Sequence, residues 1–106
     1  MPIGVSTKTE DDIEALAGAF ASLERSDDVL RFLKDLTTPA ELQALSERWR
    51  VARLLDAGGK SYRDISEETG VSTTTVTRVA RFLNQENYKG YQTVLDMQSK
   101  GKSNAS

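Results

Sequence analysis

The sequence contains no cysteine and no histidine in its 106 residues. The absence of cysteine excludes disulfide bonds and thiolate chemistry, and it is consistent with a reducing cytoplasm. The absence of histidine removes the commonest general base and the commonest metal ligand of proteins. The sequence also shows no phosphate-binding loop and no paired carboxylates in an apolar cleft. It therefore argues against an enzyme and indicates neither a metal nor a cofactor.

Long apolar runs are also missing. No segment is apolar over enough residues to span a bilayer, and the N-terminus has no signal-peptide pattern. We therefore expect a cytoplasmic protein with no membrane partner. The length favours one domain with a modest core. We expect this domain to cover residues 9–98, between a flexible N-terminus at 1–8 and a tail at 99–106 whose composition predicts disorder.

Residues 60–84 predict two helices joined by a tight turn, which is a helix-turn-helix. The turn is expected at Gly70, because glycine enters a left-handed conformation without strain. Ser72 is a good N-cap for the second helix. Ile65 is expected on the inner face of the first helix, and Ser66 is small where the two helices must approach. The second helix carries an apolar stripe with helical spacing, formed by Val76, Val79, Ala80 and Leu83.

The opposite face of the second helix carries short hydroxyls and two arginines. Such a face can enter a major groove, bind phosphates and place arginine on guanine edges. Threonine is a mediocre helix former, so helix stability does not explain three in a row. Arg63 lies at a positive helix end, where a phosphate or base would explain it. We predict DNA contacts from Arg63, Ser72, Thr73, Thr74, Thr77, Arg78 and Arg81.

Capping residues predict where the other helices begin. Thr9 and Ser26 are candidate N-caps of the first two helices. Thr38 is the N-cap of the third, where Pro39 suits the first helical position and Glu41 completes a capping box. Further boundaries are expected at Gly58-Gly59, where the third helix ends, at Ser61, which forms a capping box with Asp64, and near Gly90, where a last helix starts.

The second of these helices is apolar on more than one side, which in so short a chain favours contact with a partner chain. Trp49 lies on the apolar stripe of the third helix, and we expect it in the core. The net charge of −2 argues weakly against nucleic acid, but the charge is unevenly distributed. Residues 1–45 carry 4 Lys/Arg and 9 Asp/Glu, whereas residues 46–106 carry 10 and 7. The basic half therefore contains the predicted helix-turn-helix.

These motifs resemble the Trp repressor family, and most closely its TrpR-related YerC/YecD proteins. The similarity covers most of residues 15–95. It is carried by L-T-x-P-x-E-x-x-A-L-x-x-R at Leu36–Arg48 (with one residue inserted), Leu54-Leu55, S-x-R-D-I at Ser61–Ile65, T-V-T-R at Thr75–Arg78, D-L-x-T-x-x-E-L at Asp35–Leu42 and R-V-x-R-x-L-N at Arg78–Asn84. The resemblance implies an all-α domain of five to six helices that forms an intertwined homodimer.

The resemblance also implies two recognition helices that reach successive major grooves of a palindromic operator. Arg63 and Thr77 match family positions that contact DNA. Arg48, Arg78 and Thr38 match residues of the family's tryptophan pocket. The chain departs from the family at two pocket positions, since the expected glycine is Val79 and the expected serine is Phe82. These larger side chains would fill the space of the indole, so we expect no tryptophan binding and leave an unidentified effector open.

The sequence therefore predicts a DNA-binding transcription regulator, specifically a repressor, and not an enzyme. Two other interpretations remain at this stage. One is a helix-turn-helix that binds another protein of the transcription machinery without specific DNA binding. The other is a helical hairpin with a solvated polar face. The salt dependence of binding distinguishes the protein-binding interpretation from DNA binding. DNA affinity should fall steeply with salt, because contacts to phosphates release counterions.

Overall fold

The computed structural model describes the backbone of residues 7–105 and the side chains of residues 7–101. Over this range the regular elements are six α-helices. Their bounds are α1 (Thr7–Ala21), α2 (Ser26–Leu36), α3 (Pro39–Ala57), α4 (Tyr62–Thr69), α5 (Thr73–Asn84) and α6 (Gly90–Ala105). The predicted all-α class is confirmed. None of the helices in the described residues is long and apolar enough to cross a membrane.

The boundaries of three helices differ from those predicted. α1 begins at Thr7, so Thr9 lies within the helix rather than at its cap. α2 begins at Ser26 itself, and Arg25 takes the N-cap position without a side-chain capping hydrogen bond. The Asp27 carboxylate accepts the amide of Asp28 at 3.1 Å and binds the Arg25 guanidinium. α6 continues to Ala105, through most of the tail that composition predicts to be disordered. Once a helix is nucleated, each added residue gains a backbone hydrogen bond whatever its side chain. Residues 1–6 and 106 lie outside the described residues.

The chain divides into two compact units, Met1–Leu42 and Gln43–Ser106, whereas its length predicts one domain. The boundary falls inside α3. In the first unit, the rings of Phe20 and Phe32 lie 5.0 Å apart, which joins α1 to α2. Neither α1 nor α2 has a buried residue. Helices α1 and α2, as far as the structure describes this unit, therefore enclose no core of their own within a single chain.

The core of the second unit lies between α3, α4 and α5. The predicted apolar stripe of α5 is buried at Val76, Val79 and Ala80 and half-buried at Leu83. It packs on Ile65 of α4 and on buried residues of α3 and the turn, namely Val51, Ala52 and Val71. Trp49, which was expected in the core, is only partly buried and packs at its edge, where it stacks on Tyr91 of α6 with ring centroids 6.4 Å apart. This core holds α5 in place and leaves its other face exposed.

The predicted ends of α3 are confirmed. The Thr38 amide donates to Glu41 Oε1 at 2.8 Å, and the Glu41 amide donates to the Thr38 hydroxyl at 3.1 Å, which is a capping box. Hydrogen bonding with Thr38 lowers the pKa of Glu41. The larger effect comes from the Thr38 backbone and the smaller from its side chain. At the other end, Gly58 and Gly59 have φ values of 75° and 85°, which stop the helix.

Candidate nucleic-acid interface

The predicted cap of α4 is present at Ser61. The Asp64 amide donates to the Ser61 hydroxyl at 3.0 Å, and the Ser61 amide donates to Asp64 Oδ2 at 3.3 Å. The two bonds satisfy amides at the helix start that have no partner within the helix. The start of α4, and with it the position of Arg63, is therefore set by local sequence.

A three-residue turn, Gly70 to Ser72, joins α4 to α5. Gly70 has φ 81° and ψ 0°, the predicted left-handed conformation, and its amide donates to the Ser66 carbonyl at 2.9 Å. The Ser66 hydroxyl donates across the turn to the Val71 carbonyl at 2.6 Å. The Ser72 hydroxyl then accepts from the Thr75 amide at 3.1 Å and caps α5. These bonds fix the angle at which α5 leaves the turn.

Replacing Gly70 with alanine is expected to destabilise the fold by about 1–2 kcal/mol, because a Cβ atom disfavours the left-handed conformation. No heavy atom lies within 4 Å of a Cβ built at this position, so the cost comes from the backbone rather than from a clash. Urea unfolding of the purified protein measures the loss. Gly70→Asn is the matched control and should lose less, because asparagine tolerates this conformation. Equal stability of the alanine variant and the wild type would contradict this account of the turn.

An ion-pair cluster links α4 to α3 and to the loop between the two helices. Glu68 lies 2.8 Å from Lys60 Nζ and 3.8 Å from Arg50 Nη2. The hydrogen bond and charge of Lys60 lower the pKa of Glu68, and the same contact raises the pKa of Lys60. Because the carboxylate pKa is lowered in the folded state, its stabilising effect is present near neutral pH and is lost as the pH falls through that pKa. The cluster is solvent-exposed, so its contribution is small.

The outer face of α5 is exposed, as its helical phase predicts. Five of the predicted DNA contacts line one shallow surface concavity of about 390 Å³: Thr73, Thr74, Thr77, Arg78 and Arg81. We call these five residues the α5 outer face. Ser72 lies at its N-terminal edge as the cap. The Thr77 hydroxyl donates to the Thr73 carbonyl within the helix at 2.9 Å.

The electrostatics of the α5 outer face are positive. Helix α5 contains two arginines and no acidic residue. Among the described residues, no carboxylate forms an ion pair with Arg78, whereas Arg81 Nε lies 3.8 Å from Glu86 Oε2. Arg63 is highly exposed and pairs with Glu67 one turn along α4 at 3.3 Å. That ion pair gives Arg63 a structural partner that the prediction from the helix dipole did not include.

The structure adds aromatic contacts to the arginines that sequence reasoning missed. The Phe82 ring lies 4.5 Å from Arg78 Cζ and 5.1 Å from Arg81 Cζ. Its other neighbour is Tyr88, whose ring stacks on Phe82 at 6.2 Å and 9°. The spacing of Arg78 and Phe82, four residues apart on a helix, was a usable signal for the first contact. Tyr88 follows the end of α5, and helical periodicity could not place it.

Three of the five predicted effector-pocket residues lie together. Arg78, Val79 and Phe82 line a concavity of about 590 Å³ with aromatic residues of α3, α6 and the preceding loop. Val79 is buried, and Phe82 is half-buried beneath the Arg78 guanidinium. Arg48 is half-buried on α3 and does not line this concavity. Thr38 lies in the first unit, where it caps α3. No cluster of side chains suited to a metal ion occurs in residues 7–101.

Comparison with known proteins identifies the arrangement. The model of the Trp repressor protein family matches residues 11–99, which include all six helices except their outermost ends. The chain belongs to the Trp repressor family. The resemblance predicted from the motifs is therefore confirmed. Trp repressor proteins form a family of transcription regulators, which supports the prediction of a DNA-binding regulator.

Individual Trp repressor relatives agree with this assignment. The YerC protein of Bacillus subtilis is 40% identical over 85 residues, which are 80% of this chain and 80% of that protein. A Trp operon repressor homolog of Photobacterium profundum is 47% identical over 58 residues, 55% of this chain and 54% of the homolog. The crystal structure of a TrpR-like protein from Eubacterium eligens superposes with a TM-score of 0.75 at 38% identity, covering 84% of this chain and 90% of that chain.

Proposed function

We propose that this protein is a sequence-specific DNA-binding transcription regulator, a repressor, that acts as a homodimer through the helix-turn-helix formed by α4 and α5. The observation that carries the proposal is the exposed α5 outer face, where two arginines and three threonines share one shallow concavity. Hydroxyls and guanidinium groups are the donors that bind phosphates and base edges in a major groove. Membership of the Trp repressor family supports the same function.

Uncovered apolar side chains in the first unit support the homodimer. Ile13 of α1 is 57% exposed and Leu30 of α2 is 46% exposed, and Leu16 and Leu36 are exposed as well. Large apolar side chains that repeat along two helices with no buried residue are typical of a surface that a partner covers. A second copy provides that cover with closed two-fold symmetry. The symmetry also sets the form of the operator, because two α5 helices then read two half-sites of a palindrome.

We expect titration with tryptophan to give no binding heat. The indole pocket implied by family resemblance needs small residues at positions 79 and 82, where this chain has a buried valine and a phenylalanine in contact with Arg78. Isothermal titration calorimetry on the purified protein measures this directly. The double variant Val79→Gly, Phe82→Ser is the matched control and should bind indole compounds measurably. Micromolar tryptophan binding by the wild type would contradict the prediction.

The proposal is tested by selection from genomic DNA. Purified protein is incubated with fragmented genomic DNA at physiological salt, without tryptophan, and the retained fragments are sequenced. The expected result is an enriched, roughly two-fold symmetric site whose affinity falls steeply with salt, because bound phosphates release counterions. The Arg78→Ala, Arg81→Ala double variant is the control for retention that does not depend on the α5 outer face.

Uniform recovery, or none, would overturn specific binding without a ligand. Repeating the selection with metabolites from a cell extract would then show whether an unidentified small-molecule effector restores it. If no condition yields DNA, the negative net charge of the chain favours the alternative function, a helix-turn-helix that binds a protein of the transcription machinery.

A further inference from the structure

The two arginines of the α5 outer face share one aromatic support. The Phe82 ring centroid lies 4.5 Å from Arg78 Cζ and 5.1 Å from Arg81 Cζ. Tyr88 stacks on Phe82 almost in parallel, with the centroids 6.2 Å apart. We call Phe82 and Tyr88 the aromatic pair. Both guanidinium groups therefore contact the Phe82 ring, and the Tyr88 ring stacks on Phe82.

Such a support changes how the arginines behave in the free protein. An exposed arginine has a flexible stem and loses rotamer freedom when a binding partner orders it. A guanidinium over an aromatic ring is attracted to the ring face, which restricts the side chain before binding. Ordering side chains in advance lowers the entropic cost of association. Arginines held on the aromatic pair should therefore bind DNA more tightly than the same arginines without it.

The exposure of Tyr88 is consistent with this role. Its side chain is 83% exposed, so it contributes little to the core of the second unit. It lies in the loop between α5 and α6, where the next residue, Lys89, adopts φ 59°, a conformation that side chains rarely take. The same loop carries Glu86, whose carboxylate lies 3.8 Å from Arg81 Nε. The loop thus contacts both Phe82 and Arg81.

We propose that Phe82, backed by Tyr88, is a positioning residue that orders Arg78 and Arg81 for DNA binding without a small-molecule ligand. The inference rests on the proposed function, and it adds how the DNA-binding surface is kept competent. The ring belongs to the chain itself, so this ordering of the two arginines needs no bound molecule.

The first test measures binding of Phe82→Leu and Phe82→Tyr to a duplex. Fluorescence anisotropy is recorded with the site recovered by the genomic selection, or with a 20-base-pair duplex of random sequence at low salt if no site is recovered. Loss of the ring in Phe82→Leu should weaken binding by about 10-fold, since two cation–π contacts are lost. Phe82→Tyr keeps the ring and should bind within about 2-fold of the wild type.

A double-mutant cycle separates positioning from a general structural effect. In the Arg78→Ala, Arg81→Ala background, Phe82→Leu should weaken binding by less than about 2-fold further, because the groups through which it acts are gone. An undiminished 10-fold loss in that background would show that Phe82 acts on the fold rather than on the arginines, and it would overturn the inference.

A further variant, Tyr88→Leu, tests the inference even if Phe82→Leu does not fold. Tyr88 is exposed, so its replacement should leave the fold intact. We expect binding to weaken in the same direction and by a smaller factor, because Tyr88 supports Phe82 and contacts neither arginine in the aromatic contacts described. Unchanged binding by a folded Phe82→Leu variant would overturn the role of Phe82, and unchanged binding by Tyr88→Leu would overturn the role of Tyr88.

A measurement without DNA distinguishes failure of the inference from failure of the proposed function. Nuclear magnetic resonance relaxation of the arginine Nε–Hε groups reports their order in the free protein. The order parameters of Arg78 and Arg81 should fall in Phe82→Leu and persist in Phe82→Tyr, while that of Arg53 should not change. Unchanged values would overturn the inference even if the wild type binds DNA. A fall with no DNA binding by the wild type would uphold the ordering and overturn the proposed function.

Discussion

Replacing Arg78 with alanine is expected to weaken DNA binding by about 1–3 kcal/mol, roughly 5- to 150-fold, if its guanidinium reaches a base edge or a close phosphate. Arg78 is exposed, has no ion pair among the described residues and belongs to the α5 outer face. Arg81→Ala is expected at the lower end of the same range, because binding by Arg81 competes with its contact to Glu86. Competition binding with the recovered DNA site measures both variants.

The matched control for the arginine variants is Arg53→Ala. It removes the same charge from an exposed arginine of α3 that lines a different surface concavity, beside Asp56 and Leu95. We expect it to change DNA affinity little. The slope of affinity against salt should fall by about 1 for each arginine that contacts a phosphate, whereas loss of a base contact relaxes sequence preference. Circular dichroism should show intact helices in all three variants, and unfolding of Arg78→Ala would mean that the helix phase is wrong.

Truncating Ile65 to alanine should have the largest effect on stability, a loss of about 2–5 kcal/mol. Ile65 is fully buried and is the largest side chain that the core of the second unit encloses. It lies on α4 and packs in one cluster with Val76 and Val79 of α5. The truncation leaves a cavity between the two helices, which surrounding side chains fill only in part. Since domains of this size are stable by about 5–15 kcal/mol, we expect the variant to approach unfolding.

Urea unfolding at a fixed protein concentration measures this loss, because the apparent stability of a homodimer depends on concentration. Ile65→Val is the graded control and should lose about 0.5–1.5 kcal/mol, since it removes one methyl group. If Ile65→Ala lost less free energy of unfolding than Ile65→Val, the stability of α4 would not depend on this core. DNA binding by the alanine variant should fall along with its folded fraction.

The sequence predicted much of the second unit because its signals are local. Caps at Ser61 and Ser72, the left-handed turn at Gly70 and the apolar stripe of α5 each depend on residues a few positions apart, and all are confirmed. Sequence also predicted which face of α5 is exposed, because burial of one stripe fixes the opposite face. The roles of Arg63, Arg78 and Arg81 in DNA binding remain predictions, since they concern a partner.

Elsewhere, local patterns predicted the structure less well. Composition predicted disorder beyond residue 98, but helix propagation continues α6 to Ala105. Ser26 was predicted to cap α2, but it is the first residue of the helix. At that end the Asp27 carboxylate accepts hydrogen bonds from the Asp28 amide and the Arg25 guanidinium. In both places two local preferences compete: composition against helix propagation after residue 98, and two possible start positions for α2. A sequence pattern that reflects only one preference does not show which of the two prevails.

By itself, the sequence determined the family, the helical class, the turn and the exposed phase of α5, because each is encoded by spacing along the chain. Only the tertiary structure decided what surrounds the arginines. The stacking of Tyr88 on Phe82, and the approach of Glu86 to Arg81, depend on the path of the loop after α5. That path places Tyr88 and Glu86, which follow the end of α5, against the surface of the same helix. Contacts made through a loop do not recur at a regular spacing, so a sequence pattern cannot predict them.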